Sequence, residues 1–101
     1  VFVYRKTPFF SIKADGVYCI WVQVRDENPA SADEGTDWWF NSVRTSAEWR
    51  RMALPFARFR SDNPKTDGLL DRVRAVVLVL DRGAVPPGTK GTIWLDDLGL
   101  Y

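Results

Sequence analysis

At 101 residues the chain makes one domain at most, spanning 1–101, and a single small core must supply most of its stability. Fourteen basic residues against thirteen acidic ones leave a formal charge of +1, so no global field draws the chain to nucleic acid or to an anionic membrane. The absence of histidine removes the commonest general base and the commonest zinc ligand, and the lone Cys19 has no second cysteine for an intramolecular disulfide.

The hydrophobic period is two almost throughout, which predicts strands. Val1-Phe2-Val3-Tyr4 is strand-like from the first residue, the pattern of a mature or excised segment without a signal peptide. No apolar run approaches the ~18 residues of a membrane span. Phe9 to Ala14 alternates weakly up to Asp15-Gly16, the strongest short hairpin signal in the chain. Val17 to Arg25 follows, with Tyr18, Ile20, Val22 and Val24 on one face and Cys19, Trp21, Gln23 and Arg25 on the other. Asp26 to Asp37 is polar and reads as a long loop. Trp38 to Thr45 and Glu48 to Leu54 are two further predicted strands, the second ended by Pro55. Phe56 to Arg60 is expected as a helical turn or loop anchored by its two Phe side chains, and Ser61 to Gly68 as a turn-rich loop that Leu69-Leu70 docks on the core. Arg72 to Asp81 is a strong strand whose run from Ala75 to Leu80 predicts burial on both faces. Arg82 to Lys90 is a Gly/Pro loop before the last strand, Gly91 to Tyr101. Six or seven short strands joined by turns, with no long helical pattern, give a β-sandwich or barrel.

The last strand holds an anomaly, Asp96-Asp97 between Leu95 and Leu98. Aspartate is a poor strand former and its carboxylate is costly to bury, so the pair calls for a solvated edge, a bulge or a bound cation.

Lys-Ala-Asp-Gly at 13–16, Val-Gln-Val-Arg-Asp at 22–26, Glu48-Trp49-Arg50, Leu54-Pro55-Phe56 with Phe59, the run Val73 to Leu80 and the terminal Ile-Trp-Leu-Asp-Asp-Leu come in an order that resembles a known family. It is that of the galactose-binding-domain-like jelly rolls, nearest to the non-catalytic carbohydrate-binding modules of the family-11 type that accompany glycoside hydrolases. The resemblance covers most of residues 8–101 and implies an all-β fold, a two-sheet antiparallel jelly-roll β-sandwich. Such a jelly roll has two or three more strands before the segment equivalent to Phe9–Ala14, whereas only Val1–Lys6 precedes it here. The family pattern is abbreviated, or the chain is a fragment or a re-engineered core. A missing strand leaves an open edge, which invites a second copy of the chain to pair there as a homo-oligomer.

In the family's layout, strands 17–26, 37–45 and 72–82 share the sheet whose outer face binds glycans, and 8–14, 48–54 and 91–101 form the other. Combined with the alternation in 17–25, this puts Trp21, Gln23 and Arg25 on the binding face. Sugar recognition uses an aromatic plane for the C–H face of a pyranose and planar hydrogen-bonding groups for its hydroxyls, and these three residues supply both. Adjacent strand residues point to opposite faces, so only one of Trp38 and Trp39 belongs to the core. Trp38 with Arg44, which shares its parity, is the preferred outer pair, and Asp81 is placed to accept a hydroxyl at the rim of the groove. Trp49 and Trp94 fall in the other sheet and are expected to pack structurally. Sandwiches of this kind often hold a structural Ca2+ through an acid of the final strand, which carries over to Asp96 or Asp97, although calcium wants six to eight oxygens.

Catalysis has no visible apparatus. Glu27, Asp33 and Glu34 lie in the 26–37 loop, a poor place for the preorganised carboxylate pair of a glycosidase, and no Ser or Cys sits beside a base. Arg50-Arg51 and Arg72/Arg74 make no basic stripe for nucleic acid. The expected function is non-enzymatic binding of a β-glucan-type polysaccharide, alongside a catalytic glycoside hydrolase domain of a parent protein that the resemblance places outside the cell. The alternative is a structural or protein-interaction sandwich with no sugar ligand.

Overall fold

The computed structural model describes residues 7–29, 35–61, 63, 66, 68 and 72–100. Val1–Lys6 and Leu69-Leu70 therefore lie outside the described residues. Strand β1 (Pro8–Ala14) runs between β4 (Arg50–Ala53) and β7 (Ile93–Leu100) in a three-stranded antiparallel sheet. Strand β2 (Cys19–Glu27) runs between β3 (Thr36–Arg44) and β6 (Val73–Val79) in a four-stranded one, which β5 (Arg60–Ser61) extends beyond β3. The chain is thus an all-β, two-sheet antiparallel sandwich, with its strands shared between the sheets as the resemblance implies.

The core follows from the alternation. Phe10, Ile12 and Ala14 of β1 and Ile20, Val22 and Val24 of β2 are buried, every second residue turned to the space between the sheets. Val43 joins them from β3, and each such apolar side chain contributes about 1.5–3 kcal/mol. Trp39, Met52, Leu54, Val76, Leu78 and Ile93 pack half-buried against this cluster.

Residues 56–58 form one 3-10 turn, capped where the Phe59 N–H donates to Phe56 C=O. Residues three apart eclipse in a 3-10 turn, so Phe56 and Phe59 both point into the core and meet edge to face with centroids 6.0 Å apart. The anchored turn expected from the sequence is present.

Several expectations are corrected. Asp15-Gly16 does not close a hairpin, because β1 and β2 lie in different sheets. A type I′ turn needs positive φ at both central residues, and neither Asp15 nor Gly16 is among the positive-φ residues. The corner is instead held by Thr45, whose Oγ1 accepts the Tyr18 N–H and donates to Gly16 C=O. The polar stretch from Asp26 is not loop from the start: β2 continues to Glu27 and β3 begins at Thr36, with Asp26, Asn28 and Asp37 buried. The Ala75–Leu80 run is not buried on both faces either. Among the described strands β6 is an edge, so residues 75–79 are half-buried and Leu80 is 56 % exposed.

Trp49 and Trp94 are 51 % and 44 % exposed, not packed away. Trp49 precedes β4, and Trp94 opposes Lys13 on the outer side of its sheet, with the ammonium 5.5 Å from the ring centroid.

The Asp96-Asp97 anomaly is a bulge on an edge strand. Phe9 opposes Gly99 while Ser11 opposes Asp96, so Asp97 and Leu98 together face Phe10. Asp97 takes a left-handed φ of 53°, and its N–H donates to Asp96 Oδ1 at 2.8 Å.

Candidate functional site

The outer face of the four-stranded sheet is laid out in rows by strand register. Trp21 of β2 lies between Ser42 of β3 and Val79 of β6. One step along, Gln23 lies between Phe40 and Val77, and Arg60 of β5 follows beyond Phe40. In the third row Arg25 lies between Trp38 and Ala75. Unbroken pairing of β2 with β3 fixes these parities, turning Trp38 outward and Trp39 toward the core.

An open groove of about 550 Å³ runs over the first two rows. Trp21, Gln23 and Phe40 form its floor with Asn41 and Ser42; Arg58 and Arg60 stand on the β5 side, Val79 and Asp81 on the β6 side. Trp21 is 36 % exposed in the middle of a sheet face, where its two cross-strand neighbours, Ser42 and Val79, are too small to cover it. The side chains of Gln23, Ser42, Arg58, Arg60 and Asp81 make no hydrogen bond or ion pair among the described residues. Five uncommitted polar groups around an exposed indole are free to bond a ligand placed on the floor.

Three of the six residues expected from the sequence thus meet in the groove: Trp21, Gln23 and Asp81. Arg25 and Trp38 do not line it. They stack on each other in the next row, with the guanidinium carbon 3.9 Å from the indole centroid. That contact occupies one face of the Trp38 ring with a cation. Arg25 Nε and Trp38 Nε1 are buried without a hydrogen-bond partner among the described residues, so the pair is held by stacking. Arg44 shares the outward parity of Trp38, as expected, but it is exposed at the far end of β3 opposite Cys19, six residues from Trp38, and does not line the groove.

Phe40, Ser42, Arg58 and Arg60 were not singled out by the sequence. Phe40 and Ser42 share the parity of Trp38, a signal that resolves once Trp38 is known to face out. Arg58 and Arg60 carry no such signal, because they reach the groove through a 3-10 turn and a two-residue strand whose pairing with β3 is non-local.

A second polar cluster lies inside the sandwich at one end of the four-stranded sheet. Asp26 and Asp37 are cross-strand partners and both fully buried. Asp37 accepts hydrogen bonds from Asn28 Nδ2 at 2.9 Å, Thr66 Oγ1 at 2.8 Å and Asn63 Nδ2 at 2.5 Å. Asp26 Oδ1 accepts the Arg72 N–H at 2.7 Å. Burying carboxylates is costly unless they are well bonded, and these bonds tie positions 63, 66 and 72 to the end of β2 and β3.

Asp96 and Asp97 are exposed, Asp96 Oδ1 is engaged by backbone, and the described residues hold no group of three or more His, Cys, Asp or Glu able to bind a metal ion. Comparison with protein-family models, with curated proteins and with solved structures finds no match to this chain.

Proposed function

We propose that the protein is a non-catalytic polysaccharide-binding domain whose outer-face groove holds a β-glucan-type chain on Trp21. The observation that carries this is the exposed Trp21 indole ringed by the uncommitted side chains of Gln23, Ser42 and Asp81. A pyranose presents apolar C–H groups to an aromatic plane and hydroxyls to its sides, which is the chemistry such a floor and rim accept. Phe40 adds a second aromatic surface one row along. In this reading the domain accompanies a glycoside hydrolase outside the cell, as the sequence resemblance implies. Affinity is modest, since bonds to water-exposed hydroxyls are offset by desolvation.

Affinity electrophoresis against soluble glucans, xylans and mannans tests the reading. Retardation on at least one is expected, and Trp21→Ala should weaken it at least about tenfold while leaving the thermal midpoint nearly unchanged. Lack of retardation on every polymer would sink the proposal, and a large fall in midpoint would make Trp21 a packing residue instead.

A second reading, an oligomerising sandwich without a sugar ligand, is favoured by the outer edges of β6 and β7, which pair with nothing further among the described strands. Leu95 and Leu98 on β7 are 49 % and 64 % exposed. Solution mass decides it.

A further inference from the structure

The β5 wall of the groove is cationic. Phe56 and Phe59 fix the 3-10 turn in the core, and Arg58 and Arg60, the two residues flanking Phe59, are left exposed on the groove side. Two other arginines of this sheet are engaged: Arg25 lies on Trp38, and Arg74 pairs with Glu27 at 3.5 Å, while Arg44 lies at the far end of β3 outside the groove. Arg58 and Arg60 make neither kind of contact among the described residues. The opposite wall carries one acid, Asp81, across a sheet of four strands, roughly 14 Å at the usual strand spacing. A chain of nearly balanced charge therefore concentrates two unpaired guanidiniums against one carboxylate within a single groove.

We propose that the ligand is an acidic polysaccharide, a β-glucan-type chain carrying uronate carboxylates, with Arg58 and Arg60 binding the acid groups; this rests on the glycan-binding reading of the same groove. A guanidinium presents a planar fork that matches a carboxylate two bonds at a time, a match that a neutral hydroxyl cannot make. Asp81 disfavours a dense polyanion, because a charge on every backbone unit would meet it at the β6 wall. A polymer with carboxylates on only some of its sugars satisfies both sides. Its acid groups lie toward Arg58 and Arg60, its hydroxyls toward Gln23, Ser42 and Asp81, and a ring stacks on Trp21.

The test uses the full chain with mixed-linkage β-glucan, either neutral or partly oxidised at C6 so that only some units are uronates, measured by titration calorimetry. The oxidised polymer should bind about tenfold tighter at low salt. That advantage should fade as salt is raised past about 0.1 M, where the screening length is about 10 Å, while neutral binding stays level. Arg58→Gln with Arg60→Gln should remove the advantage and its salt dependence, so that the two polymers bind alike; both residues are exposed, so the fold tolerates the change. Trp21→Ala should weaken binding of both polymers. Equal, Trp21-dependent binding of the two forms would overturn the carboxylate assignment and leave the glycan reading standing. Binding of neither would remove both. Equal binding of polyglutamate or single-stranded DNA, insensitive to Trp21→Ala, would reduce the wall to unselective charge and overturn the proposal.

Discussion

Tyr18 donates its hydroxyl to Asp15 Oδ1 at 2.6 Å, at the bend where the chain leaves β1 for β2. That bond holds the Asp15 carboxyl below its ordinary pKa, helped by backbone N–H groups, and pushes the Tyr18 phenol above its own. The two shifts act in opposite pH windows. The stability linked to Asp15 is present above the ordinary carboxylate pKa and is lost as pH falls through the lowered folded value, below about 4. The stability linked to Tyr18 is present below about pH 10 and is lost as pH rises through the raised folded value. Tyr18→Phe should therefore flatten both the acid and the alkaline limbs of the thermal midpoint profile. An unchanged profile would show that the bond contributes nothing in solution. At this scale the sequence shows the groove unevenly. Trp21 and Gln23 are legible because alternation in β2 is regular, and Asp81 because it ends the strand expected over 72–81, two residues past the last of β6. Arg58 and Arg60 are not, since only the anchoring of Phe56 and Phe59 decides where they point.

Among the elements, β7 shows how a strand accommodates what its composition opposes. Its two acids are admitted by a bulge at the sheet edge, and pairing resumes at Gly99, over which the Phe9 ring packs. A Cβ at position 99 would collide with that ring. Gly99→Ala should cost about 1–3 kcal/mol by forcing Phe9 off its site, read as a lower denaturation midpoint. If the variant unfolds with the wild type, the ring is not seated there. The acid pair's irregularity was legible in the sequence, and the bulge was one of its open explanations. Elsewhere local pattern misled. Asp15-Gly16 looks like a hairpin because dipeptide chemistry carries no information about which sheet the next strand joins. The apolar run in β6 looks central because its composition does not show that pairing stops on one side.

For the molecule as a whole, the sheets leave apolar edges at β6 and β7 among the described strands, and aromatic rings on the outside at Trp49 and Trp94. Edges of this kind pair readily with another strand. Light scattering at high protein concentration should show a mass above the monomer if a second copy pairs there. Leu95→Lys, which puts a charge on the β7 edge, should then restore the monomer. A monomeric mass at every concentration removes edge pairing. The division of the strands between two sheets is the one the sequence resemblance led us to expect, from the order of features along the chain rather than from their periodicity.

Among the described strands, only β2 and β3 are both consecutive in sequence and paired to each other. Every other ladder joins segments that must find one another across the chain, which places the protein among the slow folders, on the scale of milliseconds to seconds. The same β2–β3 unit supplies the aromatic floor of the groove, whereas both of its walls come from segments far along the chain. Trp21 and Phe40 can thus be brought together by the earliest and most local step of assembly, and the guanidinium wall is completed only when the distant 3-10 turn has sealed the core.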